Sequence, residues 1–444
     1  MKLRSRLLTI LLISIGILLL AFILTRTDPL QKAGPISAAM VEPYEPLGTG
    51  GSPIGSSFPI SYNLGVRAIR PAVAFNSQRH EYLTVWWNDR AGYDDIYGRR
   101  ITTDGTLLPW FAIVWGPYVR TQPDVAYNSQ DDEYFVVYTE DWDIGGARLP
   151  ATGGAASYLF GYTTDGWNST IYNDLPSIAY NSAQSAYLLT FRFVNENWNG
   201  KFGSRISIVG ILPDGSGMIS GVLNVDGFST STTPGYPDVA YNPTQDEFLV
   251  VWQRKDGTDW DIYGQRARYE ASSQTIQTIN GIFPIINTSD QQYGAAVASL
   301  PRGNSGEYLV VYSSESGGDW KISGQRVTGL GTLIGDTIDI ALGLGVKENV
   351  DVAASSKGGR YLVAWTHAHS TIRERAVSAD GQLLGDEIEI GSPLAMADEP
   401  AVVGGPLSDF LVAYQDVPPD KGDYDIFGQL WGIRVYLPLV VRGS

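Results

Sequence analysis

The chain has 444 residues, a formal net charge of −16 and no cysteine. That charge provides no basic stripe for phosphate, so nucleic acid is not an expected partner, and without cysteine there is no disulfide and no thiolate for catalysis or metal ligation. Gly (50), Tyr (25) and Trp (12) are abundant, as in folds of many short strands joined by tight turns.

The chain opens with Lys2, Arg4 and Arg6, then an apolar run from Leu7 to Leu24. At 1.5 Å per residue this run spans about 27 Å, close to the hydrocarbon thickness of a bilayer. The nearest small-residue cleavage site, Ser37-Ala38-Ala39, lies far downstream. Residues 1–27 are therefore expected to be an uncleaved anchor with its basic end inside, and a cleaved signal is the alternative. Residues 28–52, rich in Pro, Gly, Ser and Ala, are expected to be a flexible tether. Either reading exports the rest of the chain.

A repeat follows. Pro71-Ala-Val-Ala-Phe-Asn76 recurs as Pro123 to Asn128, Pro176 to Asn181 and Pro237 to Asn242, with weaker copies from Ala295, Val350 and Pro400. Each copy leads through a short turn to a second, strand-length apolar run, such as Glu133 to Tyr138 or Glu247 to Trp252. A third run, clearest in Asp261-Ile-Tyr-Gly-Gln-Arg266, and a fourth, such as Ile338 to Ile340, complete the unit. Seven units of four strands predict an all-β, seven-bladed β-propeller over residues 53–434, with four-stranded antiparallel blades. The last unit ends after its third strand. Gly51 to Ile60 resembles the fourth-strand segment Gly331 to Ile340, so residues 53–62 are predicted to complete the final blade and close the ring.

The order Pro-x-Val-Ala-Tyr-Asn, short turn, apolar strand, acidic loop, Asp-Ile-Tyr resembles the TolB-type, WD40-like propeller repeat. The resemblance implies architecture only, because Asn-Ser or Asn-Pro stands where that family has a Ser-Pro-Asp-Gly turn. The tail, residues 435–444, is similar to C-terminal tails of some bacterial exported proteins.

Loops joining second to third strands share one face of such a ring with the links between blades. The candidate site residues fall there. Blade two offers Asp141, Trp142, Asp143 and Arg148 in an expected insertion from Thr139 to Ser157. Blade three offers Asn195, Asn197 and Trp198, and blade four offers Asp256, Asp259 and Trp260. Trp beside Asp and Asn suits sugar binding, since an indole face stacks on C–H groups while amides and carboxylates take hydroxyls. Packing and turn formation explain the same residues equally well. Asp256, Asp259 and Asp261 alternate around a glycine and could supply oxygens to Ca2+, without the EF-hand spacing. No cofactor is expected otherwise.

His367 and His369 would share one side of a strand as zinc ligands, but no third ligand is identified, and they read instead as a solvent-exposed loop pair. Arg100, Arg205, Arg266 and Arg326 read as ion-pairing residues between blades. No Gly-x-Ser-x-Gly, Walker or His-Glu-x-x-His motif is present. The expected function is a membrane-tethered, non-catalytic module binding a cell-surface glycan or exported protein. The alternative is a polysaccharide hydrolase with its carboxylates in the central channel.

Overall fold

The computed structural model describes residues 51–432, apart from 62–65, 91–92, 155, 163–170, 199–200, 213, 215–221, 228–231, 356–358, 392–395, 407–408 and 420. The side chains of 90, 158–162, 197–198 and 201–202 are outside that description. The expected anchor, most of the tether and the C-terminal tail lie outside the described residues. Among those that are described there is no helix, and hence none long and apolar enough to cross a membrane.

Seven four-stranded antiparallel sheets form the ring. Blade one comprises Arg67–Asn76, Glu81–Arg90, Tyr93–Thr102 and Leu107–Val114, and blade two Arg120–Asn128, Glu133–Glu140, Asp143–Pro150 and Ser157–Tyr162. Blade three comprises Ile171–Asn181, Ala186–Trp198, Lys201–Ile211 and Leu223–Asn224, and blade four Thr232–Asn242, Glu247–Asp256, Asp259–Glu270 and Thr275–Ile286. Blade five comprises Gln291–Leu300, Glu307–Ser316, Asp319–Thr328 and Leu333–Ala341, and blade six Lys347–Ser355, Arg360–His367, Thr371–Ser378 and Leu383–Ile390. Blade seven has Asp398–Gly404, Phe410–Asp416 and Asp425–Gly432, and takes its fourth strand, Ser52–Pro59, from the start of the ring. The register runs from Ser52 opposite Gly432 to Pro59 opposite Phe427, so the predicted closure is present. First strands of successive blades touch around a central channel, the first meeting the seventh.

The core is seven separate apolar clusters, one at each seam between blades. This explains why second strands read as continuous apolar runs rather than alternating ones. Leu83 and Val85 pack toward blade two, whereas Tyr82 and Trp86 pack toward blade seven. Fourth strands have one face at the rim, and Thr275–Ile286 accordingly mixes buried and exposed positions.

Polar groups fasten the same seams at three radii. Near the channel, Asp124 accepts the Val125 and Ile178 amides at 2.8 Å each, which ties blade two to blade three. Asp238 takes the Val297 amide (2.8 Å) and the Ser177 hydroxyl (2.9 Å), and Asp351 takes the Val352 (2.7 Å) and Val402 (2.6 Å) amides. On the lower face, Asn76 caps its own turn through the Gln78 and Arg79 amides and reaches Asp132 of the next blade at 3.0 Å. Asn181 and Asn242 repeat that reach, to Asp246 (2.7 Å) and the Ser305 carbonyl (2.9 Å). Asn128 bonds instead within its own turn, to Asp131 at 2.9 Å.

Farther out, the third-strand arginines correct the expectation of ion pairs between blades. Arg100, Arg266 and Arg326 pair with Glu81, Glu247 and Glu307 of their own second strands, and Arg148 does the same with Glu133. What crosses the seam is a neutral acceptor, the carbonyl of Ala151, Leu330, Asp380 or Asp214 respectively. Arg205 does not belong to this series, since its guanidinium lies 3.9 Å over the Phe193 ring of its own blade.

One position breaks the repeat. Gly98, Gly146, Gly264, Gly324 and Gly428 share a register in their third strands, and a Cβ on Gly98 or Gly428 would come within 2.9 Å of Ile113 or Ile60. Blade six has Glu374 there, fully buried with Ala364 and Ile388 as cross-strand neighbours. Neither carboxyl oxygen has a hydrogen-bond partner among the described residues. Burial pushes this carboxyl from 4.5 up to about 8.

Two outcomes are expected. A chain starting at Arg67 lacks the closing strand and bares the edge of Asp425–Gly432. In scanning calorimetry and size-exclusion chromatography it should melt earlier and aggregate, while one starting at Gly50 behaves as a monodisperse ring. Equal behaviour of the two chains would rule out closure. A carboxyl whose folded value exceeds its unfolded one stabilises fully below the unfolded value, and loses that contribution as pH rises through the folded one. Glu374→Gln should therefore gain stability over the parent as pH climbs from 4.5 to about 8, by up to about 5 kcal/mol in urea unfolding.

Candidate functional site

The upper face carries the second-to-third-strand turns and the links between blades. At its centre each first strand bends through a bulge with one residue in the left-handed region: Arg70, Gln122, Leu175, Tyr236, Gly294, Asn349 and Glu399, with φ between 49° and 56°. The ladder register shifts at the same step in all seven blades. Proline follows the left-handed residue in five of them, at a point where its missing N–H removes nothing from the ladder. Glutamines take up amides that the bulges free: Gln415 accepts from Arg70 (3.0 Å), Gln122 from Leu175 (3.2 Å) and Gln253 from Gly294 (2.8 Å). These residues surround a funnel of about 600 Å³ at the channel mouth, lined from all seven blades.

The channel aspartates lie at the base of this funnel. Burial, opposed by their backbone hydrogen bonds, pushes Asp124 and Asp351 up to about 7 and raises Asp238 as well. Asp238 adds to the rise of the other two through its charge.

The expected insertion in blade two is absent. Glu140 pairs with Asp143, leaving a two-residue turn of Asp141 (φ 44°) and Trp142 (φ 81°). Blade five fills the same two positions with Gly317 (φ 62°) and Gly318 (φ 94°). A bulky side chain in this conformation is strained, and the surroundings hold it there. Asp141 accepts the Val119 amide (2.8 Å) and donates its own to the Val119 carbonyl (3.0 Å), while Asn173 donates to the Trp142 carbonyl (2.7 Å). The indole is 61% exposed, with Tyr172 at 5.7 Å.

The link Trp115–Val119 runs between this turn and the Tyr93 hairpin, bridging Asp94 and Asp141. Tyr93, Trp115, Tyr118 and Trp142 are thus exposed rings on neighbouring turns and links of blades one and two, a strip in which Tyr118 has the Arg120 guanidinium 5.1 Å from its ring and Trp142 adjoins Tyr172 of blade three. Of these, sequence reading found only Trp142. The others occur in hairpins and links, where residue type alone does not distinguish a solvent-facing ring from a packed one.

The remaining predicted residues fall into two groups. Asp143 begins its strand beside Asn173 (3.2 Å), with burial raising its carboxyl, and Trp260 lies between Lys255 (5.9 Å) and Tyr293 (6.1 Å). Asn195 is half-buried mid-ladder between Ile171 and Gly203, and the side chains of Asn197 and Trp198 lie outside the described residues. Arg148 is a correction: it sits near the lower end of a regular strand, paired with Glu133, because the turn at 141–142 starts that strand early.

The calcium candidates each have a protein partner. Asp256 pairs with Arg254 (3.4 Å), Asp259 accepts from Gln291 (3.1 Å), and the buried Asp261 accepts the Thr288 amide (3.1 Å). No three acidic or imidazole groups converge in metal-binding fashion among the described residues. Of the histidines, His367 ends a strand and His369 lies in the turn that follows, where Ala368 and His369 have φ 53° and 54°. His369 bonds to Glu348.

No protein-family model matches this chain, and no curated protein matches it. Solved structures do. A protein of unknown function from Dyadobacter fermentans is 12% identical, with a TM-score of 0.53 over 86% of this chain and 100% of its own. The polysaccharide lyase Uly1 is 8% identical, with a TM-score of 0.50 over 86% and 100%. The likeness is one of fold.

Strain at Trp142 yields a test that separates stability from binding. Trp142→Gly should relieve about 1 kcal/mol of left-handed strain, seen as a higher urea midpoint, while weakening any ligand held on the strip. A less stable variant would show that the indole is there for packing.

Proposed function

We propose that this propeller is an extracytoplasmic carbohydrate-binding module that presents its upper face to a surface glycan. The observation that carries the reading is the exposed strip of Tyr93, Trp115, Tyr118 and Trp142, with Trp142 kept in a conformation that glycine takes in blade five. Flat rings with polar neighbours suit stacking on pyranose C–H faces with hydroxyls bonded at the edges. That one structure of similar fold is a polysaccharide lyase agrees with a carbohydrate ligand. The TolB-type resemblance of the repeat contributes architecture and no partner.

The ring enters and leaves at its lower face, where Ser52 pairs with Gly432. The hydrolase alternative places its carboxylates in the channel. Asp124, Asp238 and Asp351 do lie there, but each carboxylate already accepts two hydrogen bonds from the frame. That favours a structural role for them over acid–base chemistry.

A glycan array run beside a reducing-sugar assay tests both readings. Retention of oligosaccharides without sugar release is expected, with Trp142→Ala weakening retention by about tenfold. Sugar release by purified protein would overturn the non-catalytic reading, and binding to no glycan would overturn the carbohydrate one. Full-length protein should fractionate with membranes; a soluble species starting near Met40 would show a cleaved signal instead.

A further inference from the structure

The funnel differs in character from the aromatic strip. Its lining holds five acidic side chains, the frame-bonded Asp124, Asp238 and Asp351 together with Glu348, which bonds to His369, and Glu399, and a single guanidinium, Arg70. Arg70 is paired with Glu399 at 3.2 Å. Lys347 stands next to the lining but is fully buried, its ammonium bonded to the carbonyls of Gly343 (2.8 Å), Gly345 (3.1 Å) and Trp320 (3.2 Å). No cation of the chain is therefore left to meet an acidic ligand in this cavity, among the described residues.

Tyr236, Tyr293 and Trp320 form an aromatic part of the same wall, the last two stacked at 5.9 Å and 26°. Elsewhere the protein seats its own cations on rings, with Arg254 over Tyr263 at 4.8 Å and Lys255 over Trp260 at 5.9 Å. No such cation covers Tyr236, Tyr293 or Trp320 among the described residues.

A third observation is independent of charge. Ser313, paired with Tyr293 in the ladder, lines the cavity, is 2% exposed, and its hydroxyl has no partner among the described residues. The corresponding side chains of four other blades are engaged, Thr139 with Gln122, Gln253 with Gly294, Thr366 with Asp398 and Gln415 with Arg70, while the Trp87 indole N–H of blade one also lacks a partner among the described residues. Buried hydroxyls are as a rule hydrogen-bonded, so this one marks a place in the cavity wall where a partner is still to be supplied.

We propose that the funnel binds the protonated primary amine of an amino sugar, with the Glu348 and Glu399 carboxylates beside the ammonium, Tyr293 and Trp320 against the ring, and Ser313 as a hydrogen-bond partner. Carboxylates and exposed aromatic faces together select ammonium groups, and the same surroundings repel uronates and sulfated sugars. The concave cavity admits a sugar unit more readily than the broad surface of a folded protein. The inference rests on the carbohydrate reading above and narrows it to one class.

Calorimetric titration at about pH 6.5 tests it, with chitosan oligomers, their fully N-acetylated counterparts, polygalacturonate and an oligolysine peptide as probes. The amine oligomers should bind at least about tenfold more tightly than the acetylated ones, with affinity falling as salt rises. Glu348→Lys should abolish that preference and Ser313→Ala should weaken amine binding a few-fold, both with an unchanged melting profile. Equal binding of acetylated and amine oligomers, or preference for polygalacturonate, would overturn the amine class and leave the carbohydrate reading standing. Oligolysine binding as tightly as the amine oligomers would assign the funnel to a basic protein. Binding of no oligosaccharide would overturn both readings together.

Discussion

Packing across the seams is the interaction on which this ring depends, because a four-stranded sheet with two apolar faces has nothing inside its own blade to cover them. Each of the seven core clusters draws side chains from two adjacent blades. A blade is therefore stable only between two others, and the chain of dependence has no natural end until the first blade meets the seventh. Ser52–Pro59 matters for that reason. By completing blade seven it supplies Ile54 and Phe58 to the seam with blade one, and Ile60 follows directly after it.

Hydrophobic seams alone would leave neighbouring blades free to slide. The polar groups that cross them hold the register at points an apolar slab cannot specify. Aspartates grip the neighbouring first strand at the channel, asparagines grip the next turn on the lower face, and arginines reach the neighbouring carbonyl farther out. In blades one, two, four and five the arginine occurs together with the glutamate that holds it. Blade three has neither, with Ala186 and Gly210 at those positions. The residues that define the repeat thus serve the joints between units. Glu374, placed in a glycine position without a partner, shows that one seam carries an ionisable group that contributes nothing visible to cohesion.

The two faces divide the labour. The lower face is used up in short turns whose side chains fasten blades together. On the upper face the seven left-handed bulges open the channel into a funnel, and the links leave aromatic rings in solvent. A strained backbone position, Trp142, also lies there. A rigid frame held by its seams can keep such a residue in place, which is how strain comes to coincide with the surface proposed to bind.

Sequence alone determined the repeat and everything that follows from counting it. Four close copies of a segment like Pro-x-Val-Ala-Tyr-Asn and three weaker ones gave the blade number, the apolar second runs gave strands buried on both faces, and the likeness of Gly51–Ile60 to a fourth strand gave the closure. These were legible because periodicity is local and each copy checks the others. The site was legible only in part. Trp142 and Trp260 stood out by residue type, but Arg148 was misplaced because a two-residue turn of Asp141 and Trp142 carries no glycine to announce it. The funnel was invisible because its lining comes mainly from seven first-strand bulges whose positions recur fifty or more residues apart. Which tryptophan is exposed, which aspartate is already bonded and which serine lacks a partner depend on what the neighbouring blade brings. Tertiary structure alone decides that, because each seam is made by two repeats and no single repeat encodes its neighbour.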